Sequence, residues 1–206
     1  KGEGNMRKLK ICADPFPPYQ YIDKDGCVKG RDYELVAGRL HKAGYETEVC
    51  IAPWNQIYPE FESGQQDVLF QAQDSPERLE KFYLSKKLRD AVTEVVTADE
   101  TLKDIQNYSE LENYRLGVIA DFANGPEIDS LSASCKVEFP DAAAVLKGIY
   151  DGEVDFGVLD QGVKEYLMSD NVTLYPAPAL TYYRPLYVMF REEKVRDDFD
   201  AAGEQA

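Results

Sequence analysis

The chain has 206 residues and a formal net charge of −15 at pH 7, from 38 acidic residues against 23 Lys and Arg. That balance argues against a nucleic-acid surface, which needs a basic face to displace counterions from phosphates, and it disfavours docking on anionic lipid. A single histidine, His41, excludes a two-histidine zinc site and argues against a histidine-based catalytic triad.

Leu9 to Ala13 (LKICA) reads as a buried strand, followed by the Pro-rich loop Asp14-Pro15-Phe16-Pro17-Pro18-Tyr19. Tyr19 to Ile22 and Cys27 to Gly30 flank the turn Asp23-Lys24-Asp25-Gly26 as a hairpin. Residues 32–42 have helical spacing, with Leu35, Val36 and Leu40 on one face and Gly44 as the stop. TEVCI (47–51) is the next strand, Ile57 to Glu62 a short helix ended by Ser63-Gly64, and VLFQA (68–72) an apolar strand. Ser75-Pro76-Glu77-Arg78 opens a further helix, with Ser as the cap, Pro at the first helical position and Glu at the positive end. Strand–helix–strand alternation of this kind means an α/β protein with a mostly parallel sheet and helices on both faces.

The stretch from Phe61 through Gly64 and Asp67 to Phe70 recurs in outline from Ile149 through Gly152 and Asp155 to Val158. Both copies read helix end, Gly, two residues, Asp, buried strand, so two lobes of similar build are expected, with Asp67 and Asp155 structural. Ligands bind outside the carboxyl ends of strands in open parallel sheets. The positions to inspect are therefore Gln71, Gln73, Ser75 and Arg78 after the first strand and Asp160 after the second.

In its motifs the chain resembles the type 2 periplasmic solute-binding proteins, specifically family 3, the polar amino-acid group that feeds ABC importers. The resemblance rests on Phe16-Pro17-Pro18-Tyr19, Gly30-Arg31-Asp32-Tyr33, Trp54-Asn55-Gln56-Ile57-Tyr58-Pro59 leading to Gly64 and Asp67, Ser75-Pro76-Glu77-Arg78, and Gly152, Asp155 and Asp160, in family order. It implies a two-lobed fold with two hinge crossings near Val95 to Ala98 and Tyr182 to Pro185. Lobe 1 would be 1–96 with 184–206, and lobe 2 97–183. It implies that Arg78 holds a ligand α-carboxylate, that Asp160 meets the ammonium, that Phe16 covers the ligand, and that Trp54 lies near the side-chain pocket. A planar guanidinium fork suits a carboxylate, and an ammonium, all donor, needs an anionic or carbonyl partner. The implied protein is an extracytoplasmic (periplasmic or extracellular, lipid-anchored or free), monomeric receptor. It would deliver a small polar ligand, foremost an amino acid, to an ABC permease, without metal, cofactor or catalytic residues.

Two departures bear on the ligand. Asp121 and Phe122 stand where the family carries a Gly and a hydroxyl residue, and an extra carboxylate there would favour a cationic or neutral ligand. Alternatively, Asp121 faces solvent and Asn124 caps the next helix. Gln71 and Gln73 replace small hydroxyl residues and would narrow the pocket or reach a polar ligand. Cys12, Cys27, Cys50 and Cys135 show no metal-binding spacing. Buried free thiols, or a Cys12–Cys50 bridge between neighbouring strands, both fit. Other readings of the resemblance are a sensing domain of a membrane receptor and a lyase like cyclohexadienyl dehydratase, whose acid would have to be Asp121 or Glu127. The start at Lys1 is read as the sequel of a removed segment, and the end at Ala206 as short of a terminal helix.

Overall fold

The computed structural model describes residues 5–204; Lys1 and Ala206, on which the expectations about the chain's ends rest, lie outside them. The chain forms two compact units. Unit 1 runs to Asp90 and resumes at Pro185, and unit 2 is Ala91–Arg184.

In chain order, unit 1 holds β1 (Arg7–Ala13), the hairpin strands β2 (Tyr21–Ile22) and β3 (Val28–Lys29), α1 (Arg31–Lys42), β4 (Tyr45–Ile51), α2 (Trp54–Ser63), β5 (Val68–Ala72), α3 (Pro76–Lys81) and β6 (Tyr83–Leu84). The chain leaves along β7 (Arg89–Thr97). Unit 2 adds β8 (Leu116–Ile119), α4 (Pro126–Asp129), β9 (Lys136–Phe139), α5 (Ala142–Tyr150), β10 (Phe156–Asp160), α6 (Gln161–Leu167) and β11 (Tyr175–Pro176). The return strand is β12 (Tyr182–Phe190), and α7 (Glu193–Gly203) completes unit 1.

In unit 1 the strands β4, β1 and β5 are neighbours and parallel, and β12 joins β5 antiparallel. Side chains alternate across this sheet. Leu9, Ile11 and Ala13 pack with Val36 and Leu40 of α1 and Phe199 of α7, while Cys12 and Leu69 face Ile57 and Phe61 of α2. A parallel strand covered on both faces is apolar there, which is why Ile11 to Ala13 and Val68 to Phe70 are buried without a break, while Lys10 stays exposed. In unit 2, β10 lies parallel to β8, β8 parallel to β9, and β7 antiparallel to β10. Val95, Leu116, Val118 and Phe156 build one side of its core, and Val96, Val145, Ile149 and Leu159 the other.

Two helix expectations need correction. The buried stripe of α1 is Asp32, Val36 and Leu40, stepping four residues at a time, and Leu35 falls on its flank, 41% exposed. The second helix begins at Trp54 rather than Ile57, with Pro53 at its N-cap, and ends as expected at Gly64 in the left-handed conformation.

The internal repeat extends to individual hydrogen bonds. The amides of Gln65 and Gln66 donate to Glu60 O, and those of Glu153 and Val154 donate to Gly148 O. The Asp67 carboxylate accepts from Lys10 N–H at 2.8 Å, and that of Asp155 accepts from Arg115 N–H at 2.9 Å. Each Asp ties the turn before one strand to the neighbouring strand, the structural role expected of it.

All four cysteines are free thiols. Cys12 and Cys50 are register partners on β1 and β4, yet Cys12 donates to Val68 O at 3.4 Å instead of bridging. Burial pushes the Cys12 thiol far above its ordinary range.

Candidate functional site

The parallel order of β4, β1 and β5 delivers three loops to one edge of the unit 1 sheet: Asp14 to Phe16 after β1, Ala52 and Pro53 after β4, and Gln73 to Ser75 after β5. Ser75 caps α3 by accepting the Arg78 amide at 3.2 Å, and Pro76 occupies the first turn. This fixes the start of α3 and with it the root of the Arg78 side chain. The guanidinium Nη1 donates to Gln73 O at 2.6 Å, and the group lies over the rings of Trp54 and Tyr58 at 5.1 and 5.5 Å. Trp54 and Tyr58 stack on each other with centroids 5.3 Å apart, as i, i+4 neighbours on α2 can. Arg78, Trp54 and the backbone of Gln73 thus form one cluster. A cation held over ring faces keeps its charge while its alkyl stem stays covered.

Phe16 belongs to a second cluster. Its half-buried ring stacks on Tyr19 at 5.5 Å, and its backbone bridges Gln20. Gln71, expected to reach a ligand, instead donates from Nε2 to the Asp32 carboxylate at 2.7 Å. Its backbone is left-handed, φ 61, at the position where the β5–β12 register shifts. Sequence reasoning passed over Asp14, which follows the last residue of β1; burial pushes its carboxyl above the usual carboxylate range. The signal was an acidic residue directly after an apolar strand.

Unit 2 presents a second edge, where β8 and β10 end side by side. Asp160 ends β10 and caps α6, its carboxylate accepting the Val163 amide at 2.9 Å. Asp121 follows β8 in a left-handed conformation, φ 61, and is exposed, as is Phe122, at 50%. Asn124 does not cap α4; Gly125 stands at that N-cap with φ 96, and the Asn124 side chain donates to Phe122 O. Glu127 is exposed on the first turn of α4. Beside Asp160, Lys164 of α6 forms a buried ion pair with Glu94 of β7 at 2.6 Å, and Gln161 reaches the same carboxylate at 3.5 Å. This pair was also missed; its sequence signal is one acidic residue inside the apolar run of β7.

Two α/β units, each a mostly parallel sheet with its polar and charged loops at the strands' carboxyl edge, and two strands carrying the chain between them, define the two-lobed type II periplasmic-binding fold. The family profile of bacterial extracellular solute-binding proteins, family 3, matches residues 9–203, and the chain belongs to that family. Among solved structures, the truncated, arginine-bound form of ArgBP from T. maritima is 18% identical, with a TM-score of 0.70 over 96% of this chain and 95% of that one. An ancestral cationic amino acid solute-binding protein is 20% identical, TM-score 0.77, over 96% and 89% of the two chains. A Bacillus subtilis protein from a structural genomics programme is 15% identical, TM-score 0.80, over 96% and 83%. At these identities the likeness concerns the fold. No curated protein sequence matches the chain.

Proposed function

We propose that this protein is an extracytoplasmic receptor for an α-amino acid, which it passes to an ABC permease, and that it is not an enzyme. The observation that carries the reading is the Arg78 guanidinium, rooted by the Ser75 cap and supported on Trp54 and Tyr58 at the carboxyl edge of the unit 1 sheet. Such a group pairs with a ligand carboxylate through two parallel N–H donors. In unit 2 the Asp160 carboxylate, held at the end of β10, is the group we assign to the α-ammonium. Phe16, Trp54 and the Gln73 amide would bound the side chain. A cationic side chain fits best. Asp14 is a part-buried carboxyl at the carboxyl edge of the unit 1 sheet, and two structural relatives are described as arginine-bound or cationic amino-acid binding.

A thermal-shift screen of the twenty amino acids, polyamines and small dicarboxylates tests this, because a ligand that binds only the folded state raises Tm. L-Arginine or L-lysine should give the largest shift. By calorimetry Arg78→Ala should weaken binding of that ligand by about 3 kcal/mol, roughly 150-fold, since it strands a desolvated carboxylate. Asp160→Asn should weaken binding of that ligand far more than it weakens binding of its des-amino analogue, and equal losses for the two would contradict the role given to Asp160. Unchanged affinity in Arg78→Ala removes Arg78 from the site. One relative is described as a precursor of cyclohexadienyl dehydratase. Here the two acids that could serve a lyase, Asp121 and Glu127, both stand in water, so incubation with prephenate or arogenate should give no turnover.

A further inference from the structure

Asp32 lies in the first turn of α1 and is only 4% exposed. Two groups converge on its carboxylate: Gln71 Nε2 at 2.7 Å, and Arg89 Nε at 2.9 and 3.2 Å to the two oxygens. Each partner leads to a segment of the candidate site. Gln71 is the extra residue of a bulge in β5: Ala72 pairs with Tyr187 and Phe70 with Val188, so Gln71 has no register partner and takes φ 61. That conformation is ordinary for Gly and strained for Gln, and bulges re-aim the side chains beside them. Two residues on stands Gln73, whose carbonyl holds Arg78. Arg89, for its part, lays its guanidinium over the Tyr19 ring at 3.8 Å, and Arg31 lies over the same ring at 4.4 Å. Tyr19 in turn carries Phe16.

We propose that the buried Asp32–Arg89 pair is the positioning unit of the unit 1 half-site, holding the strained Gln71 bulge that leads to Arg78 and the Tyr19–Phe16 stack in one arrangement. A buried carboxylate is costly unless hydrogen-bonded, so it commits both partners to single geometries. The same Arg89 begins β7, the strand on which the chain leaves unit 1, so the pair also anchors the start of that crossing. The inference rests on the binding reading for its purpose, but its geometry can be tested without a ligand.

The experiment is amide hydrogen exchange on the ligand-free, full chain carrying Asp32→Asn or Arg89→Lys. The Lys variant keeps the positive charge but lacks both the Nε–H that reaches Asp32 and the flat face that covers Tyr19. Both variants should exchange at least tenfold faster at the amides of Phe16, Tyr19 and Gln20 and at residues 71–73, with β4 and α7 unchanged. In calorimetry with L-arginine the same variants should bind at least tenfold more weakly. If Asp32→Asn does not fold, Arg89→Lys alone carries the test. Wild-type exchange at both segments in Arg89→Lys, or an increase spread evenly over unit 1, overturns the proposal. If wild-type protein binds no amino acid, the functional reading fails, and the exchange pattern still decides whether the pair positions these segments.

Discussion

Gly30→Ala should be among the most damaging single-methyl changes in the protein. Gly30 has φ 125, and a Cβ there would stand 2.1 Å from Tyr19 O and 2.4 Å from its carbonyl carbon. Both are backbone atoms, so no side-chain rotation relieves the clash. That carbonyl accepts the amides of Asp32 at 3.0 Å and Tyr33 at 3.3 Å, which start α1. Displacing it by the necessary ångström forfeits two hydrogen bonds of about 1 kcal/mol each. Strain at positive φ adds about 1–3 kcal/mol, for a total of about 3–5 kcal/mol. Set against a typical total stability of about 5–15 kcal/mol, this moves a urea midpoint visibly. Gly38, in the same helix with nothing within 4 Å of a built Cβ, is the control, and Gly38→Ala should stabilise by about 1 kcal/mol through helix propensity. Equal midpoints for wild type and Gly30→Ala would refute the close-approach argument, and a destabilised Gly38→Ala would refute the control.

Asp67→Ala and Asp155→Ala should each lower stability by about 1.5 kcal/mol in urea melts, because each removes the acceptor for one strand amide; a large effect from one and none from the other would break the equivalence of the two copies. The Tyr45 hydroxyl donates to Asp198, which also accepts from Lys194; these bonds hold the Asp198 carboxyl below its usual range, while burial and the same bond push the Tyr45 hydroxyl up to about 12. The Asp198 contribution is present above the ordinary carboxylate pKa of about 4 and lost as pH falls through the depressed folded value, and the Tyr45 contribution is present below about 10 and lost as pH rises through the raised folded one. Tyr45→Phe should therefore cost about 1 kcal/mol at neutral pH, with the gap from wild type narrowing at both extremes; a gap independent of pH contradicts the linkage. In Ellman titration of native protein exposed Cys27 should react first and Cys12 only on unfolding; early loss of the Cys12 thiol would contradict its burial.

Much of the fold was legible because its signals are local. Ser75-Pro76 is a local helix-start signal, Gly44 and Gly64 end helices because they tolerate positive φ, and the runs Ile11 to Ala13 and Val68 to Phe70 are apolar because parallel strands are covered twice. Asp67 and Asp155 could be read as structural from the repeat alone. Arg78 could be singled out because it begins a helix just beyond a buried strand. What a linear reading cannot contain is which distant groups meet. Nothing in the run VLFQA announces a bulge at Gln71, since a bulge is a mismatch between β5 and β12, more than a hundred residues further along the chain. Nothing at Asp32 foretells burial, because only the arrival of Gln71 and Arg89 makes a buried carboxylate affordable there, and the same packing turned Leu35 outward. The sequence by itself determined the two-unit α/β design and the cation and anion at its strand ends. Tertiary structure alone decided how those charges are braced, because buried polar groups are satisfied by partners that only the fold brings within hydrogen-bond reach.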